Sequence, residues 1–249
     1  TLIGSIFVLK WLWTFISLKK IFWKEFIPLD LDLIDMVLLI SGGFVVLGEV
    51  VSPLFSISLV EVFSNNLSSE LSQALKIFVG YIFMAVPPLW ILYFQIKSLT
   101  GQFVFKKEYI QLDGLSIKGS IKEGLKGWLM IIPFVLLTSI IMNSLIDSQN
   151  GSNPLLDIVL KNDNYFSLIL LFLTTTVLAP LFEEIIFRGV LLPILSRDFG
   201  IILGILISAF IFALAHLSIS EMPPLLVLGI GLGITRIASG SLLSSVLMH

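Results

Sequence analysis

The run from Phe166 to Leu195 holds only three ionisable side chains, Glu183, Glu184 and Arg188, in an otherwise apolar stretch. Its length suits a helix crossing a bilayer, which needs about 20 predominantly apolar residues. Comparable runs recur at Leu2–Leu18, Leu33 to about Val60, Ala74–Ile96, Leu125–Leu145, Ile201–Leu217, Pro224–Ala238 and Leu242–His249. The pattern predicts an all-α, polytopic membrane helical bundle of about eight helices. Composition agrees: 57% of the 249 residues are hydrophobic and 13% charged, against roughly 25% charged in soluble domains. Within the second run, Gly42-Gly43, Glu49 and Pro53 predict a kinked or broken span.

An ionisable group at membrane depth costs roughly 2.5–3.5 kcal/mol on the insertion scale, so three within six residues need a reason. On a helix, Glu184 and Arg188 are i, i+4 and share a face, with the acid on the favourable N-terminal side. Glu183 points about 100° away from that pair. The expected arrangement is one supported ion pair beside one working carboxylate. A purely structural salt bridge between helices is the competing reading.

The only histidines, His216 and His249, both fall in apolar runs. Helical rise places Glu183 about 21 Å above the motif helix's end near Arg197, and His216 about 24 Å up the returning helix. If Ser239-Gly240-Ser241 is a turn, His249 lies only about 12 Å from the same face, within reach if its helix tilts or starts deeper. One acid and two histidines thus converge as candidate catalytic residues. Two chemistries suit them. Either Glu183, His216 and His249 ligate a divalent metal such as zinc, which activates a bound water. Or Glu183 acts directly as general base, the histidines orienting water or stabilising an oxyanion, with no metal. Phe212, one turn before His216, shapes the pocket wall or simply packs there.

Other chemistries fit less well. There is no cysteine for a thiolate, a disulfide or a Cys nucleophile. Ser218, Ser220 and Ser244 lack a nucleophile elbow, and no His-Glu-x-x-His pattern occurs. Gly229-Ile-Gly231-Leu-Gly233 reads as a helix-packing run of small residues rather than a phosphate loop, since no strand precedes it. A net charge of −2 argues against nucleic acid as a partner.

Lys97, Lys106, Lys107, Lys118 and Lys122 crowd a polar loop expected over 97–124, with Lys19, Lys20 and Lys24 in an earlier one and Arg236 near the same side. The positive-inside rule places these loops, and the end of the motif helix, in the cytoplasm or its organellar equivalent. The chain divides into N-terminal spans, 1–160, and a helical core, 161–249. It begins with Thr rather than Met and ends inside an apolar run, as a fragment would.

Ala179-Pro180-x-x-Glu183-Glu184-x-x-x-Arg188-Gly189, then Phe212-x-x-x-His216, then Thr235-Arg236-x-x-Ser239-Gly240-Ser241-Leu242 running to His249, resemble the CPBP family. Its members are the type II CAAX prenyl endopeptidases with the related bacterial intramembrane proteases and Abi-like bacteriocin-immunity proteins. The resemblance covers roughly 166–249. It implies that Glu183 activates the hydrolytic water, His216 assists, and Glu184 and Arg188 form the supporting pair. His249 would be the histidine of the last motif, whose Asn or Asp partner four positions on lies past the sequence. Whether such an enzyme is metal-dependent or glutamate-dependent stays open. The implied function is an intramembrane endopeptidase acting on a membrane-associated, CAAX-type prenylated or other peptide substrate at the bilayer. The alternatives are a non-catalytic immunity or scaffold protein of the same fold, and an ion-coupled transporter using Glu183 and Glu49.

Overall fold

A computed structural model describes residues 6, 31–64, 67–100, 115–145, 158–159 and 163–249. Apart from Ile6, the expected first span at Leu2–Leu18 lies outside these residues, as do Lys19, Lys20, Lys24 and positions 101–114 of the expected loop over 97–124. The described chain is helical, with no strand among the described residues. Among the described residues, five helices are long and apolar enough to cross a membrane. They are α1 (Leu33–Val62), α2 (Ser69–Ser98), α3 (Ile117–Leu145), α4 (Tyr165–Phe199) and α6 (Met222–Ser239). The shorter apolar α5 (Ile201–Ala215) and α7 (Leu242–Met248) complete the described set. The protein is an integral membrane helical bundle.

Two boundaries differ from the sequence reading. α2 runs through Lys97, and α3 begins at Ile117, where the Ser116 hydroxyl accepts from Gly119 N–H at 3.2 Å. Lys118 and Lys122 therefore ride the first turns of a helix instead of a loop. A serine cap outweighed the high local charge that suggested coil.

Backbone contacts divide the chain into two compact units. In the unit holding 30–105 and 150–182, α1 and the start of α4 pack on α2. Ala74, Leu170 and Leu171 form its core. Ser52 Oγ bridges Leu47 O and Phe83 O, each at 2.7 Å. Phe182 stacks on Phe44 and meets Tyr81 edge-on.

The unit holding 106–149 and 183–249 is built from α3, the end of α4, and α5 to α7. Leu192, Ile205 and Ile237 form a core among α4, α5 and α6. The glycine run does what its spacing suggested. A Cβ on Gly229 would meet Ala209 Cβ at 3.0 Å, and one on Gly233 would meet Ile205 at 3.2 Å, so both press on α5. One on Gly231 would meet Ile131 at 2.6 Å, on α3. Alternate faces of one helix thus approach two neighbours closely, the usual use of small residues between membrane helices. On the outward side of α3, Leu136, Leu137 and Ile140 are more than half exposed, as a lipid-facing surface requires.

Of the kink or break expected in this span, there is no break: α1 is continuous and carries a long widened stretch. Three stretches, Leu38–Val51, Leu173–Leu178 and Ile185–Leu191, are wound wider than an α-helix. Their N–H groups bond five residues back, as Ser52 N–H does to Leu47 O and Leu192 N–H to Phe187 O. Each ends two residues before a proline, Pro53, Pro180 and Pro193. A proline within a helix lacks the N–H and collides with the carbonyl four residues back, and a wider turn relieves the collision.

Packing at Gly124 gives a direct test. A Cβ there would meet Ser244 O at 2.8 Å and Met248 N at 3.3 Å, while one on Gly42 would meet nothing within 4 Å. Gly124→Ala is expected to lower thermal stability in detergent by about 1–3 kcal/mol through overpacking. Gly42→Ala should leave the unfolding midpoint unchanged or slightly raised.

Candidate functional site

α4 carries two carboxylates between its two widened stretches, and all the neighbours described below belong to the same compact unit. Glu184 and Arg188 are both fully buried. Arg188 Nη1 donates to Glu184 Oε1 at 2.9 Å, and Nη2 donates to Gly229 O at 3.2 Å. The Arg188 guanidinium also stands 4.3 Å over the Phe212 ring, within cation–π range. The charge is thus matched by an acid, a carbonyl and an aromatic face, as a dry interior demands.

The widened stretch Ile185–Leu191 is tied to its neighbours through its carbonyls. Ser208 of α5 donates to Phe187 O at 3.2 Å, and Arg236 of α6 donates through Nε to Arg188 O at 3.4 Å. Arg236 is fully buried. It is thus packed inside the protein near the end of α6, a burial that its expected place beside the lysine-rich loops did not announce. The sequence signal was available: an arginine inside an apolar run obeys the same rule that singled out Arg188.

His216 caps α5, and its Nδ1 is 2.8 Å from Phe212 O. A carbonyl only accepts, so Nδ1 carries the hydrogen and the neutral ring presents a lone pair at Nε2. Immediately afterwards the chain turns away at Leu217, a non-glycine residue with φ of 52°. His216 Nε2 lies 3.9 Å from Glu183 Oε2. His249 Nε2 lies 3.8 Å from the same oxygen. Its Nδ1 is 3.3 Å from Glu184 Oε1, close but short of an aligned hydrogen bond. The two acids, adjacent in sequence and about 100° apart around the helix, therefore face different nitrogens of the His249 ring.

Phe212 is more than a wall. Its buried ring meets His216 edge-on with centroids 4.7 Å apart, His249 at 5.8 Å and Phe187 at 5.3 Å. One aromatic side chain thus sets the planes of both imidazoles and supports the Arg188 cation.

The shallow position expected for His249 is resolved by where α7 begins. Ser239, Ser241 and Leu242 are all buried, so the turn lies inside the protein. Gly240 takes a left-handed conformation (φ 66°), which glycine adopts without strain. Ser239 Oγ accepts from Ser241 N–H at 3.1 Å, and the Ser241 hydroxyl pairs with Ser120 of α3 at 3.2 Å. Irregular backbone buried in a membrane protein survives where protein groups satisfy it. A helix of one to two turns then suffices to bring His249 to Glu183.

The structure therefore brings together Glu183, Glu184, Arg188, Phe212, His216 and His249. Ser244 is buried in α7, and Ser218 and Ser220 pair with each other at 3.3 Å. Glu183, His216 and His249 have the donor chemistry of a zinc site. Bonds of 2.0–2.1 Å in tetrahedral geometry, however, separate ligand atoms by about 3.3 Å, less than the 3.8–3.9 Å found here. Among the described residues no group of three acids or histidines forms a ready metal cluster, so the spacing does not fit a preformed metal site.

Residues 165–249 match the family model described as Rce1-like, type II CAAX prenyl endopeptidase Rce1-like. An "Uncharacterized 24.3 kDa protein" of Escherichia coli is 37% identical over 86 residues, 32% of this chain and 40% of that protein. The chain thus spans about two fifths of the length of that relative. No solved structure matches. The matched stretch contains all six clustered side chains, whereas α3, which packs on α6 and α7, lies outside it. Residues 165–249 form an Rce1-like segment, consistent with the CPBP family of membrane proteases.

Proposed function

We propose that this protein is an intramembrane endopeptidase that hydrolyses a peptide bond of a membrane-associated substrate with a water activated by Glu183. The observation that carries this reading is the approach of two imidazole Nε2 atoms to one carboxylate oxygen, at 3.9 and 3.8 Å, inside an Rce1-like segment. A lone pair and a carboxylate oxygen at such a separation call for a donor between them, and a water serves both. Segment 161–249 acts as the catalytic core, with the lysine-bearing ends of α2 and α3 on the cytoplasmic side. The family match makes a prenylated CAAX-type peptide the first substrate to try.

The chain's own residues supply each step. His216 Nε2 accepts one hydrogen of the water and orients it. Glu183 removes the other proton as the water oxygen bonds to the substrate carbonyl carbon. The electron pair of the carbonyl moves onto its oxygen, where His249 stabilises the negative charge. Glu183 then returns its proton to the amide nitrogen, the C–N bond breaks, and a carboxyl group and an amine leave. General base catalysis of this kind contributes about 10²–10⁴-fold, and an oxyanion donor about 10²–10³-fold.

Cleavage of prenylated and unmodified membrane peptides by purified protein tests the reading. Glu183→Gln and His216→Ala are each expected to lower kcat at least about 10²-fold; wild-type rates in both variants would refute it. Prolonged chelation should leave the rate within about twofold, since no step above uses a metal. A loss restored by zinc would instead make Glu183, His216 and His249 ligands. The folded yield separates the two acids. Arg188→Ala strands buried Glu184 and should cost roughly 3–5 kcal/mol, whereas Glu183→Gln should melt near the parent temperature.

A further inference from the structure

The ion pair with Arg188 does not account for all the neighbours of the Glu184 carboxylate, which also include Ser245 and the His249 ring. Glu184 Oε1 is 2.9 Å from Arg188 Nη1 and 3.3 Å from His249 Nδ1. We propose that Glu184 is also a positioning residue: its negative charge favours a hydrogen on His249 Nδ1, 3.3 Å away though not in an aligned hydrogen bond, and so directs that ring's Nε2 at Glu183. An ionised carboxylate has only acceptor sites. A ring nitrogen beside it is therefore favourable only as N–H. The opposite nitrogen, Nε2, is 3.8 Å from Glu183 Oε2. Turning the ring over would set carbon atoms against both acids. Phe212, at 74° to the ring and 5.8 Å away, fixes the plane in which this choice is made.

The same arrangement exists at His216 with a different acceptor, and the difference divides the labour. His216 Nδ1 is backed by the neutral carbonyl of Phe212 at 2.8 Å. A neutral acceptor fixes the tautomer and leaves Nε2 as an acceptor, suited to orienting water. Behind His249 stands a carboxylate instead, so the ring keeps its Nδ1–H and, in its doubly protonated form, donates from Nε2 when an oxyanion forms. Arg188 holds the Glu184 carboxylate in place for this task, so one buried oxygen serves both partners. Conservation of the pair's geometry, beyond its charge, then matters to the rate.

Side-chain ¹⁵N spectra of histidine-labelled protein test the positioning directly, with His216→Asn and His249→Asn giving the assignments. His249 is expected to carry a hydrogen on Nδ1 in the parent protein, whether or not Nε2 is also protonated. In Glu184→Leu/Arg188→Met, where apolar groups replace the buried pair and preserve the fold, the His249 signals should become those of averaged tautomers. His216 should stay unchanged. An unaltered His249 would overturn the proposal. A second arm rests on the hydrolytic reading. The pair variant should lose about 10²-fold in kcat in the parent background and nothing further in a His249→Asn background. Additive losses would show that Glu184 acts elsewhere. If the pair variant fails to fold, Glu184→Gln serves: its amide oxygen still accepts the Nδ1–H, so the tautomer persists while kcat falls only where His249 is present. A Glu184→Gln loss of kcat that persists undiminished with His249→Asn would overturn the proposal. A protein that cleaves no peptide leaves the spectra to decide, separating failure of this inference from failure of the hydrolase reading.

Discussion

Placing charge where there is no bulk water is the constraint on which the Rce1-like segment depends. Glu184 and Arg188 are fully buried, and each would carry a large desolvation penalty alone. Their pairing at 2.9 Å is only the first layer of compensation. The Gly229 carbonyl takes a second guanidinium N–H, and the Phe212 face takes the cation. These partners come from three helices, so the pair also fixes how α4, α5 and α6 lie against one another within their unit. A working carboxylate one residue away then inherits a rigid surround.

That rigidity is reached by departures from regular helix. The widened turns before Pro180 and Pro193 bracket the two acids, and side chains of α5 and α6 bond to the carbonyls of the second. The buried serine-glycine turn lets a helix of seven residues start inside the protein. Both devices use backbone that lipid would penalise, and both are lined by hydroxyls or arginine. The unit thus accepts polar backbone next to its chemistry because side chains are in place to receive it.

Much of this was legible in the chain. Counting residues at 1.5 Å each brought Glu183 and His216 to one depth, because α4 and α5 form a hairpin closed at Gly200. The same count left His249 shallower, within reach if its helix tilts or starts deeper. Helical rise says nothing about where a helix begins, and the depth of α7 depends on hydroxyl pairs with Ser120, 121 positions away. Arg236 was visible as an arginine among apolar residues, yet its partner is a carbonyl exposed by a widened turn, which no periodicity announces. The helix at Lys118 and Lys122 was obscured because charge density suggested loop while Ser116 supplied a cap. The role of Glu184 toward His249 was also hidden, since an i, i+4 salt bridge explained that acid fully.

The central claim is direct attack by a water that Glu183 deprotonates, and single-turnover cleavage of a membrane peptide in H₂¹⁸O with hydroxylamine present tests it most directly. The account predicts one ¹⁸O atom in the new C-terminal carboxyl group and no peptide hydroxamate. A hydroxamate would reveal an acyl-enzyme and contradict it.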